Sequence, residues 1–386
     1  MSFEPRVQSG PRPVVVLSAN TAWFITNFCG GLVEGLREAG YRPVALAPQD
    51  RAAEDALREL ALEHHDVEID RSGANPIADA RLLRQYGNLL GKLRPAAYLG
   101  FTIKPNIYGS IAARRLGVPS IATVSGLGTA FMRRGALQAI VTRLYRFGLR
   151  GTAIVFFQNS EDRSLFVSRG LIRAEQGRVI PGLGVNVSHF SETPLPNGAP
   201  TFLLIARMLR DKGVIEFVQA ARLVRKSMPE ARFQLLGPVD HGNRTAIAMA
   251  DLTGWTREGI VEYLGAVADV RPAIAAASAV VLPSYREGMP RALLEGGAMG
   301  RPLIATDVPG CRDVVEDGHT GYLCAPRDPD SLALAMRRLA ELPAKERAAM
   351  GAAARRRVQD RFSDAFVVRE YLDALGLAQA ARPGMQ

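Results

Sequence analysis

The sequence predicts an α/β protein built from two doubly wound parallel-sheet domains, and three observations carry that expectation. Short apolar runs recur along the whole chain, each followed by a helical pattern. A length of 386 residues is generous for one such domain and comfortable for two. Beyond residue 190 the rhythm halts in the turn formers Ser191 to Pro200, and then it restarts.

Val14-Val15-Val16-Leu17, entered from Pro13, has the continuous apolar character of a strand buried on both faces. After the loop from Ser18 to Thr21 a helical apolar pattern runs to Leu36 and ends at Gly40. Further strands are expected at Arg42 to Leu46, Ala97 to Gly100, Ser120 to Val124 and Ala153 to Phe157, so residues 1–190 make a first domain. Residues 191–200 are the expected linker. The second series has strands at Thr201 to Ile205, Ala231 to Leu236, Ile260 to Tyr263, Ala279 to Leu282, Pro302 to Ala305 and Gly321 to Leu323, within residues 201–360. In the tail, residues 361–386, Ser363 can cap a helix to about Leu375, with Asp364 near its positive end. Its stripe of Val367, Tyr371 and Leu375 must be buried, and the helix is expected to cross back onto the first domain. The two domains are expected to face each other across a cleft lined by strand carboxyl ends, where such sheets bind ligands. In the first domain those ends lead into Ser18 to Trp23, Phe101 to Asn106 and Ser125 to Thr129.

Composition narrows the function classes. Hydrophobic residues make up 47% of the chain, as in a well-packed soluble protein. Cys29, Cys311 and Cys324 are scattered and odd in number, matching neither a disulfide framework nor metal-ligand spacing and fitting a reducing cytosol. The N-terminal MSFEPRVQSGPRP lacks the apolar core of a signal peptide, and no apolar run nears the ~18 residues of a spanning helix. A cytoplasmic protein, not integral to a membrane, is expected. The net charge of +10 is uneven: residues 80–160 hold 12 Lys or Arg and no Asp or Glu. Gathered on one face, these favour an anionic lipid leaflet or a diphosphate. Nucleic acid is not an expected partner, because no helix-turn-helix, zinc or RNP-like signature is present.

Chemistry concentrates in Pro283 to Glu295, PSYREGMPRALLE. The strand before it empties into a turn carrying Glu287, and Pro290 stands where a first helical residue is expected, since its missing N–H costs nothing there. Glu295 follows about two turns later, placing the carboxylates roughly 10 Å apart along the chain at ~1.5 Å rise per residue. That is about the span of a sugar diphosphate. Free N–H groups and the positive dipole end between the acids attract phosphate, and each carboxylate can accept hydrogen bonds from sugar hydroxyls. A second pair has the opposite sign. Arg207 follows the strand Thr201 to Ile205 and Lys212 opens the next helix, so the two can converge over the cleft and stabilise a departing diphosphate without a metal. Taken singly, the acids and the cations also fit solvated surface.

Together these residues resemble the retaining glycosyltransferases of family 4, which have the two-domain GT-B fold. The landmarks are Arg207 to Gly213, Gly237 after its strand, Leu264-Gly265, the paired Glu287 and Glu295, Thr306-Asp307-Val308-Pro309-Gly310, Asp317-Gly318 with Gly321, and the Arg361-Phe362-Ser363 tail. They run over nearly the whole chain. The resemblance implies that Arg207 and Lys212 hold the donor diphosphate, that Glu287 contacts the donor sugar and that Glu295 binds the ribose hydroxyls. It also implies donor contacts from Gly237 and from the backbone of Gly288, Met289, Pro290 and Arg291. Glu287, Arg207 and Lys212 are the expected catalytic residues; no metal or cofactor is expected, the nucleotide sugar being a substrate.

In the first domain, FTIKPNIYGSIAARRLGVP from Phe101 and VSGLGTAF from Val124 are similar to one subgroup. Its members add N-acetylhexosamines or related sugars to undecaprenyl-diphosphate-linked sugars in bacterial surface-polysaccharide or glycoprotein pathways. Lys104, Asn106, Ser125 and Gly126 are then the expected acceptor-binding residues, with Lys104 meeting the acceptor's diphosphate. Many relatives carry a donor-contacting His after the strand equivalent to Ile121 to Val124; here Ser125-Gly126 stands, and none of the five histidines lies in that loop. Backbone from Ser125 to Gly128 is the expected substitute. The G-x-G at Gly126 to Gly128 lacks a third glycine and an acid ~20 residues on, so a nicotinamide cofactor is not expected. From Arg133 to Arg150, Leu137, Ile140, Val141 and Leu144 share one helical face and Arg143, Arg146 and Arg150 another. Such a helix either packs into the core or lies on an anionic leaflet. The expected protein is thus a retaining, metal-independent glycosyltransferase using a UDP-sugar, peripheral at the inner face of the plasma membrane. A nucleotide-sugar epimerase of the same fold and a non-catalytic sugar-nucleotide binder are the alternatives.

Overall fold

The structure, a computed structural model, describes residues 12–50, 53–70, 75–126, 136–240 and 242–380. Leu127 to Gly128 of the G-x-G loop, the expected helix start at Arg133, and His241 lie outside the described residues. The chain divides into two compact units: residues up to Gly184 together with those from Asp364 on, and Val185–Ser363.

The first unit holds a seven-stranded parallel sheet in the order β3-β2-β1-β4-β5-β6-β7. The strands are β1 (Val14–Ser18), β2 (Arg42–Ala47), β3 (Glu63–Asp66), β4 (Ala97–Gly100), β5 (Ser120–Val124), β6 (Ile154–Phe157) and β7 (Gly177–Val179). Successive side chains of β1 enter different layers, Val14 and Val16 one hydrophobic cluster, Val15 and Leu17 another, because a strand alternates its faces. That two-sided burial is why the run is apolar throughout. The edge strands β3 and β7 were not among those expected. β3 reads Glu-His-His-Asp, and with neighbours on one side only it has no continuous apolar run to betray it.

The second unit repeats the plan with six parallel strands in the order β10-β9-β8-β11-β12-β13. These are β8 (Thr201–Ile205), β9 (Arg232–Leu236), β10 (Glu262–Tyr263), β11 (Ala279–Leu282), β12 (Leu303–Thr306) and β13 (Gly321–Cys324). Phe202 and Leu204 enter one layer and Leu203 the other. Both units are therefore doubly wound α/β folds, as expected.

The Asp364–Ala380 helix belongs to the first unit. Val367, Tyr371, Ala374 and Leu375 are buried beside Ile121 and Phe156 of its sheet, and the Tyr371 hydroxyl lies 2.5 Å from Thr123 Oγ1 on β5. The unit boundaries differ slightly from those expected at 190 and 360. Val185 N–H donates to Phe362 O, so both chain segments at this point are paired within the second unit. Thr193 and Pro194 of the expected linker are likewise docked on the second unit. The fully buried Arg301 guanidinium donates to Thr193 O, to Thr193 Oγ1 at 3.0 Å, to Pro194 O at 2.9 Å and to Ala277 O at 3.2 Å. Burial pushes this guanidinium down to about 10, opposed by Glu192.

The Ala136–Leu149 helix packs part of its apolar surface into the core and leaves part exposed. Val141 and Leu144 pack against the core and Tyr145 and Leu149 are buried, while Ile140 and Phe147 stay exposed beside Arg143 and Arg150. Among the described residues no helix is long and apolar enough to cross a membrane.

Candidate active site

The second unit gathers its candidate residues on the loops leaving β8, β9, β11 and β12. β8 leads to Arg207 and then to a short turn, Arg210–Lys212, closed by Gly213 in the left-handed region at φ 73°. A Cβ on Gly213 would lie 2.1 Å from Pro283 O, so only glycine lets this turn meet the loop after β11. That approach brings Lys212 to Glu287. Lys212 Nζ stands 2.6 Å from Glu287 Oε1, and Ser284 Oγ donates to the same oxygen at 2.6 Å. Both charged side chains are mostly buried, 22% and 12% exposed.

The loop after β12 supports Glu287 from the other side. Glu287 N–H donates to Pro309 O, Thr306 Oγ1 donates to Ser284 O, and Gly310 takes φ 83°. A Cβ there would lie 2.7 Å from the carbonyl oxygens of Glu287 and Gly288. The Thr306-to-Gly310 landmark is therefore a cradle for the Glu287 loop. Beneath it the Cys311 thiol is buried, and desolvation and the nearby Glu287 raise its pKa far above the ordinary value.

Gly288 and Met289 lead into the Arg291–Ala298 helix. Pro290 is the residue before the helix rather than its first turn: its ψ is 93°, and its carbonyl accepts from Leu293 and Leu294 N–H. Glu295 is buried on this helix and accepts from Arg291 Nε at 2.7 Å, one turn earlier. Burial raises its pKa above the ordinary carboxylate value, against the pull of Arg291.

Arg207 and Lys212 do not share a partner. Arg207 Nη1 pairs with Asp240 Oδ2 at 2.8 Å, on the loop after β9, and is 55% exposed. Gly237 opens that loop, its N–H donating to Gly265 O and its carbonyl accepting from the Tyr263 hydroxyl at 2.9 Å. Asp240 and Ser284, which hold two of the expected residues, carried no sequence signal of their own. Neither did the pairing of Lys212 with Glu287 across 75 residues. Among the described residues no group of three or more His, Cys, Asp or Glu is placed to hold a metal ion.

In the first unit the picture of the expected acceptor residues changes. Lys104 is not a free lysine at a helix start: its Nζ is 2.7 Å from Asp79 Oδ1, and Tyr108 donates to Asp79 Oδ2 at 2.7 Å. Burial and Asp79 together raise the Tyr108 hydroxyl's pKa, keeping it a donor. Asn106 is 1% exposed, because the Pro105–Gly109 turn tucks it inward where its amide donates to Thr123 O. It ties the turn after β4 to β5 and does not present its side chain to a ligand. Ser125 Oγ donates to Phe101 O at 3.4 Å, and Gly126 follows at φ 145°, where an added Cβ would have no neighbour within 4 Å among the described residues.

Comparison with known proteins agrees with this layout. Residues 25–182 match the glycosyl transferase 4-like domain, and residues 199–341 match the glycosyl transferases group 1 domain. One curated relative is the N,N'-diacetylbacillosaminyl-diphospho-undecaprenol alpha-1,3-N-acetylgalactosaminyltransferase of Campylobacter jejuni, 26% identical over 77% of this chain and 81% of its own length. Another is the UDP-Gal:alpha-D-GlcNAc-diphosphoundecaprenol alpha-1,3-galactosyltransferase of Escherichia coli, 25% identical over 69% of this chain and 71% of its own. Among solved structures, Anabaena HepE in complex with UDP and glucose superposes with a TM-score of 0.78 at 18% identity, covering 94% of this chain and 99% of its own. A glycosyltransferase from Rickettsia africae gives 0.78 at 17% identity, covering 96% and 99%. These two structural likenesses speak for the fold alone. With a 4-like domain in its first unit and a group 1 domain in its second, the chain belongs to the family 4 type of glycosyltransferases, with the GT-B fold.

Proposed function

We propose that this glycosyltransferase moves an N-acetylhexosamine from a UDP-linked donor onto an undecaprenyl-diphosphate-linked sugar, with retention of configuration, in the assembly of a bacterial surface glycan. The observation that carries the reading is the Lys212–Glu287 pair, 2.6 Å long, seated with Ser284 beside the start of the Arg291–Ala298 helix. A fixed cation, a helix N-terminus and a carboxylate together suit a sugar diphosphate. The acceptor class is supported by the two relatives above, both named as acting on diphosphoundecaprenol-linked sugars. Their transferred sugars differ, N-acetylgalactosamine in one and galactose in the other.

In the proposed reaction the bond between the sugar C1 and the diphosphate oxygen breaks while the acceptor hydroxyl attacks from the same face. Lys212 and Arg207 stabilise the charge that develops on the departing phosphate, whose own oxygen takes the acceptor's proton. No metal enters this scheme. Glu287 orients the sugar, and Glu295 accepts from the ribose hydroxyls. Lys104, Ser125 and Gly126 meet the acceptor from the first unit. We further assign the protein to the cytoplasmic face of the membrane, docked on anionic lipid through Ile140, Arg143, Phe147 and Arg150. Arg114 holds Phe147 in place, its guanidinium 4.9 Å from the ring centroid.

A panel of UDP- and GDP-sugars against short-chain prenyl-diphosphate-linked sugars tests the reading, with UDP release and the product's anomeric configuration measured together. The expected result is an α-linked product from an α-linked UDP-N-acetylhexosamine. Conversion of the donor alone would identify an epimerase, and UDP binding without any turnover a sensor; either result refutes the transfer. For the membrane, the chain is expected to float with phosphatidylglycerol vesicles and not with phosphatidylcholine vesicles, and Phe147→Ser to weaken flotation. Equal binding to both vesicle types would remove the electrostatic docking.

A further inference from the structure

The turn carrying Lys212 is gripped by residues that the donor chemistry does not use. Tyr285 holds the chain on either side of Lys212: its N–H donates to Asp211 O at 3.0 Å, and its hydroxyl donates to Glu216 Oε1 at 2.6 Å, on the first turn of the Val214–Arg225 helix. Tyr285 also stands two residues before Glu287, the partner of Lys212. One residue, through its backbone N–H and its hydroxyl, thus ties the loop that bears the acid to the chain on either side of Lys212.

Two unfavourable features meet at this tyrosine. Arg327 adopts a left-handed backbone at φ 59°, which a residue with a Cβ takes only against steric resistance, and stacks its guanidinium 4.5 Å from the Tyr285 ring centroid. Glu216 is 8% exposed, and its second oxygen, Oε2, is buried without a hydrogen-bond partner among the described residues. Burial, reinforced by Glu216, pushes the Tyr285 hydroxyl up to about 12, so it remains a donor at neutral pH. Glycine at 327 would relieve the backbone, and a neutral side chain at 216 would ease the desolvation. Strain concentrated beside reacting groups serves positioning rather than stability.

We propose that Tyr285, Glu216 and Arg327 are positioning residues for the transfer, holding Lys212 and Glu287 at the spacing that the donor's diphosphate and sugar require. The inference rests on the donor-site reading of Lys212 and Glu287.

The test uses Tyr285→Phe, Arg327→Gly, Glu216→Ala and Glu216→Gln in the full chain, with the donor and acceptor on which the wild type turns over fastest. Initial rates, donor KM, UDP affinity by calorimetry and the thermal midpoint are read for each. Tyr285→Phe and Arg327→Gly are expected to lower kcat by about tenfold to a hundredfold, as displacement of a reacting group does. Donor KM and UDP affinity should stay within about twofold, the split that marks a loss confined to the transition state. Arg327→Gly is expected to keep or raise the midpoint while losing kcat. Glu216→Gln, whose amide oxygen still accepts from Tyr285, should recover most of the rate lost in Glu216→Ala.

A purely structural role would instead lower rate and midpoint together. That result, or near-wild-type kcat in both Tyr285→Phe and Arg327→Gly, overturns the proposal. Lys212→Ala in the same assay separates the two levels. Normal turnover there means the donor-site reading has failed; an inactive Lys212→Ala beside normal Tyr285→Phe and Arg327→Gly means that only the positioning inference has.

Discussion

Replacing Lys212 by Met probes stability and chemistry at once. Its ammonium lies 2.6 Å from Glu287 Oε1, with the side chains 22% and 12% exposed. Removing one partner of a buried ion pair costs about 3–5 kcal/mol, because the other charge is left desolvated. Here Ser284 still donates to Glu287 and solvent reaches the lysine, which puts the loss near the lower end, about 3 kcal/mol. At roughly 2–4 °C per kcal/mol for a unit of this size, the melting midpoint should fall by roughly 6–12 °C. Lys212→Met combined with Glu287→Gln removes the stranded charge and should recover most of that loss, since the two sites are directly coupled. Turnover should not recover: the missing cation alone costs about 10²–10³ in rate. Differential scanning fluorimetry and a UDP-release assay on the single and double variants give the four numbers needed. A Lys212→Met midpoint equal to wild type would refute the pair's energetic role, and undiminished turnover would refute its place in the chemistry.

Three further outcomes are expected. Glu295 has a raised folded-state pKa, so its protonated form contributes stability that is present below the ordinary value of 4.5 and is lost as pH rises through the raised one. Glu295→Gln should therefore be the more stable protein at neutral pH, with an advantage that shrinks on acidification, yet bind UDP about tenfold more weakly through loss of a charge-assisted bond; melting curves across pH and calorimetry check both. Arg301→Met strands the carbonyls of Thr193, Pro194 and Ala277 at about 1–3 kcal/mol each, and limited proteolysis should newly cut within 191–200. Tyr371→Ala removes a fully buried ring at about 3–5 kcal/mol, and hydrogen exchange should accelerate along Asp364–Ala380 before it does in the second unit.

Much of the fold was legible because strands covered on both faces must be apolar throughout, as Val14–Leu17 and Ala279–Leu282 are. The same logic hid β3, whose edge position lets Glu63 to Asp66 be polar. In the site, residue types and their places at strand ends were readable, and so in principle was the Arg291–Glu295 pair from its spacing of one helical turn. Pairings between distant segments were not. Lys104 meets Asp79 from 25 residues away, and nothing local distinguishes that lysine from a solvated one. Asn106 looked like a loop residue because the inward turn at Pro105–Gly109 has no periodic signature.

The Asp364–Ala380 helix makes the second unit an insertion within the first. A ribosome therefore delivers all of residues 185–363 before Val367, Tyr371, Ala374 and Leu375 emerge to cover Ile121 and Phe156. The half that is encoded first can be finished only last, and until then its sheet carries an uncovered apolar face. A nascent chain stalled before Asp364 should attract chaperones through that face. A first unit expressed as residues 1–184 should regain solubility when the tail helix is supplied as a separate peptide.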